Sequence, residues 1–277
     1  MAIDTSAVAT ATAGPAVEPR RRPALLTRER GAVAGVFVTL LLAWQLLPGM
    51  LQVPTYVIPP LSDVLRALFD PEALPLYLSN AGTTLKEVFI GLGIGVAIGL
   101  VGAILLVQFP TLYSVVFPYV VAIESLPKVA LAPLFVIWFG FGITSKVVVV
   151  VLLAFFPVLV STIHGLRGVD KDQIELFEAN GASRGQIRRH LLLPAALPSI
   201  FSGLELAVAA SMIGAIVAEF VGAQRGLGVL ILQSQARMDT AGVFALLIIL
   251  SALGITLNLA VRTVRRRVIF WVPGERG

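Results

Sequence analysis

The sequence contains no cysteine and only two histidines among its 277 residues. The absence of cysteine excludes disulfide bonds, thiolate metal sites and cysteine nucleophiles. The two histidines, His164 and His190, are too far apart in sequence to indicate a histidine-based metal site. Charged residues are scarce as well, at 13% of the chain, whereas a soluble domain carries roughly 25%. This shortage of charge argues against a soluble protein.

What the chain has instead is apolar surface. Hydrophobic residues make up 57% of the chain and the mean hydropathy is +0.91. A single globular core does not bury that much apolar surface, so the composition predicts an integral membrane protein surrounded by the lipid bilayer. The net charge is +5, but the basic residues lie at the ends of apolar runs. That placement is typical of membrane topology, and no nucleic-acid partner is expected.

The apolar runs predict the domain organisation. A membrane-spanning helix needs about 20 apolar residues, and no strand pattern is visible. We therefore predict an all-α integral membrane protein with about six transmembrane helices. A transmembrane domain at residues 31–268 would lie between a flexible N-terminal tail at 1–30 and a C-terminal tail at 269–277. The predicted spans are about 31–50, 84–107, 112–138, 144–168, 197–221 and 242–264.

Basic residues predict the topology because they are enriched on the cytoplasmic side of membrane proteins. They cluster before the first span, between the fourth and fifth spans, and after the sixth: Arg20, Arg21, Arg22, Arg28, Arg30; Lys171, Arg184, Arg188, Arg189; Arg262, Arg265, Arg266, Arg267. An even number of spans separates each cluster from the next, so all three fall on one side. Both termini are therefore expected in the cytoplasm, with a short helix at Leu61–Phe69 on the outer surface.

The polar segment at residues 169–196 predicts a helix, a tight turn and a second, amphipathic helix. Gly181 suits a backbone turn with positive φ, and Ser183 is a good N-cap for the helix that follows. Ile187 and Leu191 are spaced to bury one face of that helix. Pro194 and Pro198 are then expected to set the start of the fifth span.

This segment resembles the EAA motif of ABC importer permeases, in which Glu-Ala-Ala is followed by a glycine and later by Ile/Val-x-Leu-Pro. Glu175 and Gly181 match the start of the motif, and Leu191, Leu193 and Pro194 stand near its end. Leu176-Phe177 departs from the Ala-Ala of the family. In that family the element is the coupling helix, which sits in a groove of the ATPase subunit. The resemblance implies this role for Glu175, Ala179, Gly181, Ala182, Ser183 and Arg184.

Two further stretches strengthen the resemblance. The run from Pro127 to Gly140 is similar to Pro-x-x-Ala-x-x-Pro-Leu-x-x-x-Trp-Phe-Gly of the nitrate/sulfonate/taurine branch, and the spacing of Glu219 from Gly226-Leu227-Gly228 also fits. The resemblance implies the type I importer permease fold in the bacterial plasma (inner) membrane. It also implies a homodimer with two ABC ATPase subunits and an extracytoplasmic substrate-binding protein. Nitrate, sulfonates, taurine, pyrimidines, riboflavin and aromatic acids are the substrates that the family suggests.

The chain itself is not expected to be an enzyme. It lacks the G-x-x-x-x-G-K-[ST] phosphate-binding loop, since Gly142-Ile-Thr-Ser-Lys146 has the wrong spacing. No cofactor is expected in this chain, and ATP and magnesium would be bound by the partner ATPase. A stand-alone secondary transporter or channel is the alternative, although no internal repeat of the kind such proteins carry is visible. A non-transport scaffold has nothing in the sequence to support it.

Candidate pathway residues lie where the third span is interrupted by proline. Pro127 and Pro133 are expected to remove helical hydrogen bonds and free carbonyl groups, which either line a pathway or form a packed kink. Glu124 and Lys128 lie beside the interruption and are spaced for an ion pair. Glu205 and Glu219 are interpreted as interfacial charges at the ends of the fifth span. Gly91, Gly95 and Gly99 are interpreted as a stripe for close helix packing.

Overall fold

The structure is a computed structural model that describes residues 24–271. Every regular element in that range is a helix, and no strand occurs there. The long helices are α1 (Ala24–Met50), α3 (Leu74–Gln108), α4 (Pro110–Glu124), α6 (Ile143–Arg167), α9 (Leu193–Gly222) and α11 (Thr240–Val268). The short ones are α2 (Leu61–Leu68), α5 (Ala132–Phe139), α7 (Lys171–Ala179), α8 (Arg184–Ile187) and α10 (Leu227–Ala236). A 3₁₀ turn at Lys128–Leu131 precedes α5, and a π-helical segment at Arg188–Leu192 joins α8 to α9.

The number of spans agrees with the predicted fold. Among the described residues, five helices are long and apolar enough to cross a membrane, and the bent pair formed by Pro110–Glu124 and Lys128–Phe139 makes a sixth. The surface helix expected at Leu61–Phe69 is α2. Contacts divide the chain into a unit up to Gln52, which contains α1, and a unit from Val53 onward, which contains the remaining helices.

Several predicted boundaries are wrong. Helix α1 begins at Ala24, inside the predicted N-terminal tail, although its membrane-spanning part, Gly31–Met50, matches the predicted first span. Residues 1–23 and 272–277 lie outside the described residues. Helix α3 begins at Leu74, ahead of the predicted start at residue 84. Its first turns contain polar residues, and a prediction based on the length of apolar runs does not include them. One of these, Asn80, is turned inward and bonded, so the polar sequence is still helical.

Helix α6 lies at the centre of the second unit, between α3 and α9. The predicted stripe of Gly91, Gly95 and Gly99 faces it: a Cβ atom on Gly95 would lie 2.9 Å from Ala154 Cβ, and one on Gly99 would lie 3.0 Å from the Phe155 carbonyl oxygen. The packing stripe is therefore confirmed. On the other side of α6, glycines again allow close approach, since a Cβ atom on Gly203 of α9 would lie 2.6 Å from Ser161 Cβ.

The third span is broken. Helix α4 ends at Glu124, and the axis turns by 82° before α5. Pro127 precedes the 3₁₀ turn, and its carbonyl oxygen accepts a hydrogen bond from Ala130 N–H at 2.8 Å. Pro133 lies in the first turn of α5, where an N–H has no helical partner anyway. The irregular backbone expected at these prolines is present. The expectation that each proline removes a helical hydrogen bond is wrong, because α4 ends at Glu124 and Pro133 lies in the first turn of α5.

Helix α10 follows α9 without crossing the molecule. It has 10 residues, too few to span a bilayer. Residues 226–231, which include its first half, are buried, whereas most residues from 232 to 239 are exposed. The chain therefore dips into the bundle and leaves again before α11 begins at Thr240.

Candidate functional site

The turn between α7 and α8 is built by local hydrogen bonds. Helix α7 starts at an Asp170 cap and ends in the Schellman arrangement: Gly181 N–H donates to the Glu178 carbonyl at 2.9 Å, and Ala182 N–H donates to the Phe177 carbonyl at 3.0 Å. Gly181 has φ of +75°. Glycine adopts this conformation without strain, so the predicted turn at Gly181 is confirmed.

The second half of the turn is a capping box. Ser183 N–H donates to Gln186 Oε1 at 2.8 Å, and Gln186 N–H donates to Ser183 Oγ at 3.4 Å. The N-cap expected at Ser183 is confirmed. The helix that follows does not stop at a proline, however, since α8, the π-helical segment and α9 run on as one apolar helix from Arg184 to Gly222. The turn is therefore joined directly to the fifth span.

The residues expected to couple to an ATPase are brought together on this turn. Glu175, Ala179, Gly181, Ser183 and Arg184 are exposed, and Ala182 is half-buried. On the opposite side Ile187 is 6% exposed, as its spacing predicts, whereas Leu191 is only partly buried. One face of the element therefore packs against the bundle and the other is open.

The turn is also tied to the ends of α3 and α6. Arg188 Nη1 donates to Gln108 Oε1 at 3.0 Å, which links the π-helical segment to the last residue of α3. A cavity of about 520 Å³ lies between the turn and the helix ends, and Val107, Leu166 and Ile187 are among its lining residues. The turn therefore contacts several spans at once.

The four predicted pathway residues lie at the break in the third span: Glu124, Pro127, Lys128 and Pro133. Glu124 is the last residue of α4 and is exposed. The expected ion pair between Glu124 and Lys128 does not form. The chain turns at Pro127, so Lys128 leaves the helical face of Glu124, and its ammonium group lies 4.3 Å from the ring centroid of Phe156.

A buried polar cluster lies near the C-terminal end of α9, and sequence reasoning missed it. The interpretation of Glu219 as an interfacial charge is wrong. Its side chain is 1% exposed. Glu219 Oε1 accepts a hydrogen bond from Thr84 Oγ1 at 2.6 Å, and Oε2 accepts one from Gly228 N–H at 2.6 Å. Two further bonds reach the same loop: Gly226 N–H donates to Asn80 Oδ1 at 2.7 Å, and Leu227 N–H donates to Thr84 Oγ1 at 3.0 Å.

The same contacts explain the Gly-Leu-Gly spacing. Gly226 has φ of +128°, and a Cβ atom there would overlap the Glu219 carboxylate. A Cβ atom on Gly228 would lie 2.9 Å from Glu219 Oε2. Glycine is required at both positions because the carboxylate lies directly against the backbone.

An ion pair completes the cluster. Lys146 Nζ lies 3.1 Å from Glu87 Oε1, and the two side chains are 7% and 1% exposed. Glu87 stands one helical turn after Thr84 on α3, so the pair lies beside the cluster. Oε2 of Glu87 has no hydrogen-bond partner among the described residues. The sequence carried a signal for this pair: two opposite charges stand near the starts of two apolar runs, and such residues are costly unless they find each other.

Glu205 is the remaining acidic residue of α9. Its carboxylate pairs with Arg262 Nε and with Arg265 Nη1, each at 3.2 Å. This clamp joins the first half of α9 to the end of α11. Among residues 24–271, no group of acidic or histidine side chains is arranged to hold a metal ion.

Among the described residues, six apolar spans with a capped helical turn between the fourth and the fifth define a polytopic membrane protein. A family model described as "Binding-protein-dependent transport system inner membrane component" matches residues 91–270, so the chain belongs to this family of ABC importer permeases. It is a multi-pass subunit of an importer that works with an ATPase and a substrate-binding protein. The resemblance, the fold class and the permease function inferred from the sequence are confirmed.

Relatives and a solved structure agree with this assignment. The chain is 36% identical over 235 residues to the formylaminopyrimidine transport permease protein ThiX of Halalkalibacterium halodurans, covering 85% of this chain and 93% of that protein. It is 31% identical to the putative aliphatic sulfonates transport permease protein SsuC of Bacillus subtilis, covering 84% and 85%. A structure of the MetNI methionine ABC transporter in an inward-facing conformation shares the fold, with a TM-score of 0.62, 24% identity, and coverage of 72% of this chain and 99% of that chain.

Proposed function

We propose that the chain is one of two identical permease subunits, each bound to an ATPase subunit, and that residues 169–196 receive the ATPase's movement. The exposed turn between α7 and α8 carries this proposal. Caps on both sides fix its shape, and its open face includes Leu176, an apolar side chain that is 62% exposed. A rigid, partly apolar projection is suited to a groove on another protein.

Movement of the turn has two routes into the bundle. The first is the unbroken helix from Arg184 to Gly222, which contains no loop to absorb a displacement. The second is the hydrogen bond from Arg188 to Gln108 at the end of α3. ATP and magnesium would be bound by the ATPase partner. Closure of the two ATPases would pull the turns together and switch the pathway from facing the cytoplasm to facing outside.

The proposed orientation has both termini and residues 169–196 in the cytoplasm of a bacterial inner membrane. The arginines at the end of α11 support it, because they pair with Glu205 in the half of α9 nearest the turn. Basic residues from two separate clusters therefore lie toward the same end of the bundle, as positive-inside topology requires.

The pathway is proposed to pass the break between α4 and α5. Glu124 and Pro127 are exposed there, and Lys128 is half-buried over Phe156. Pro133 holds the first turn of α5 next to the break. Irregular backbone at membrane depth is tolerated where it is covered by protein or lines a water-filled path. The second permease copy is proposed to face this side.

The proposed substrate is a small organic solute delivered by an extracytoplasmic binding protein. The names of the two relatives, a formylaminopyrimidine permease and an aliphatic sulfonate permease, support this class. Reconstitution with the ATPase and binding protein, followed by uptake assays with labelled pyrimidines, riboflavin, taurine, sulfonates, aromatic acids and nitrate, tests it. Uptake of nitrate alone would contradict the organic class.

Replacement of Gly181 tests the coupling role. Gly181→Val places a β-branched residue at positive φ, which strains the turn by about 1–2 kcal/mol or more. We expect loss of ATPase co-purification and of ATP-driven uptake, with membrane insertion unchanged. Gly181→Asn is the matched control because asparagine tolerates this conformation.

Two results would overturn the proposal. One is normal coupled uptake by the Gly181→Val variant. The other is solute movement by the purified chain alone, without ATP, in liposomes. The second result would favour a stand-alone secondary transporter or channel.

A further inference from the structure

Helix α10 begins inside the bundle, where the N–H groups of its first turn need hydrogen-bond partners and water is excluded. The first N–H groups of a helix have no partner within it, and an unsatisfied N–H in apolar surroundings is costly. Here three consecutive N–H groups, from Gly226 to Gly228, are each taken by a side chain of another helix: Asn80, Thr84 and Glu219. These three N–H groups at the start of α10 are therefore capped from outside its own sequence.

Glu219 is the acidic member of this cap. Both of its carboxylate oxygens are used, one by Gly228 N–H and one by Thr84 Oγ1. A buried carboxylate needs a nearby positive charge as well as donors. Glu87, one helical turn after Thr84 on α3, brings the Lys146 ammonium group into this region, because its Oε1 lies 3.1 Å from Lys146 Nζ. The cap, α3 and α6 are thereby joined in one buried network.

The position of α10 gives this network a consequence for transport. Helix α10 follows the end of α9 that is opposite the turn at Gly181, beside the end of the broken third span. Gly222, at the end of α9, packs against Val136 of α5, where a Cβ atom would lie 2.9 Å from Val136 Cγ1. A shift of α10 would therefore disturb the bundle next to the proposed pathway.

We propose that Thr84 is a positioning residue for transport: with Asn80 and Glu219 it forms the cap that keeps α10 seated in the bundle. The seating of α10 is independent of the proposed coupling role. Its effect on uptake rests on the proposed function.

The absence of cysteine makes a clean reporter available. Leu230 on α10 is 6% exposed and Met238, just after α10, is 74% exposed. Leu230→Cys therefore reports unseating of α10, and Met238→Cys is the control that labels rapidly in every background. Reaction with a water-soluble maleimide is measured on the detergent-purified assembly with its ATPase, so the result does not depend on membrane orientation.

Four variants, each combined with the reporter cysteine, distinguish a specific loss of the cap from a general loss of packing in the bundle. Thr84→Val removes the hydroxyl group at constant shape, and Thr84→Ser keeps it. Lys146→Met leaves two buried carboxylates without a cation, whereas Glu87→Gln leaves Lys146 free to offset Glu219. We expect labelling of Leu230→Cys to rise about tenfold or more in Thr84→Val, which loses two buried hydrogen bonds. We expect it to rise in Lys146→Met as well, because the buried carboxylates then lack a cation. Thr84→Ser and Glu87→Gln are expected to change it less than twofold.

Uptake in proteoliposomes is measured in the same variants. It is expected to fall in the two fast-labelling variants while co-purification of the ATPase persists. If Lys146→Met fails to assemble, comparison of Thr84→Val with Thr84→Ser still tests whether the cap keeps α10 seated. Equal labelling in all four variants, fast or slow, would overturn the proposal, as would normal uptake with an unseated α10. Loss of ATPase co-purification in Gly181→Val would be unaffected by either result.

Discussion

The guanidinium group of Arg188 donates a hydrogen bond to the side-chain oxygen of Gln108 at 3.0 Å. Gln108 is the last residue of α3, and Arg188 is the first residue of the π-helical segment. This single bond connects the turn that is proposed to meet the ATPase with α3. The turn is otherwise continuous only with α9. The bond gives α3 a direct link to the movement of the turn.

Removal of this bond is expected to weaken coupling without unfolding the protein. Arg188→Ala and Gln108→Ala should each reduce uptake several-fold and change thermal stability by less than about 1 kcal/mol, because the bond is exposed. The double variant should behave like either single one, since both remove the same contact. Uptake and ATP hydrolysis by the reconstituted transporter measure this. Arg189→Ala, at the neighbouring exposed arginine, is the control, and additive losses in the double variant would contradict the link.

Single cysteines test the proposed topology, and the chain has no native cysteine to interfere. Ser183→Cys and Ser62→Cys are expected to react with impermeant maleimide from opposite sides of the membrane. Six spans place the Gly181 turn inside and α2 outside. Labelling of intact cells and of inverted vesicles measures the sidedness. Reaction of both positions from one side would show that the number of spans between them is wrong.

Glycine packing between α3 and α6 gives a stability prediction. Gly95→Ala places a methyl group 2.9 Å from Ala154 Cβ and 3.0 Å from the Val151 carbonyl. Overpacking of this kind costs about 1–3 kcal/mol, so the melting temperature of the purified protein should fall. Gly93→Ala on the same helix meets nothing within 4 Å. It is expected to leave the melting temperature unchanged or raise it, and equal effects of the two changes would argue against the packing stripe.

The clamp at Glu205 predicts unequal roles for two arginines. The Arg265 side chain is 23% exposed and that of Arg262 is 58% exposed, yet each lies 3.2 Å from the same carboxylate. Water screens an exposed pair more strongly, and exposed pairs contribute about 0–1 kcal/mol. Arg265→Ala should therefore lower the melting temperature more than Arg262→Ala. Thermal denaturation in detergent at low and high salt measures the difference. A larger fall in melting temperature for Arg262→Ala than for Arg265→Ala would contradict the unequal roles of the two arginines.

The parts of this molecule that sequence reasoning could predict are those determined by neighbours along the chain. Gly181 and Ser183 define their turn and cap through bonds to residues a few positions away, so their roles are visible locally. The spans follow from apolar run lengths in the same way. Pro127 marked the break in the third span, although the helix proved to end before it.

The buried network was not predictable in this manner. Glu219 and Thr84 are 135 positions apart in the sequence, and only the folded bundle brings them together. Glu87 and Lys146 each look like a lone charge in an apolar run, and their pairing depends on how α3 and α6 align. The start of α3 was predicted wrongly for a related reason. Asn80 is polar, but its side chain is buried and hydrogen-bonded within α3 and to the loop before α10.

The π-helical segment at Arg188–Leu192 sets the phase between the two ends of one long helix. An α-helix advances by about 100° per residue, and a π turn accommodates one residue more than an α turn. The face that carries Ile187 is thereby rotated relative to the face that α9 presents to α6. The direction in which the ATPase-facing turn points is thus determined by a helical irregularity five residues long, so insertion or removal of a single residue there would re-aim the turn while leaving every span intact.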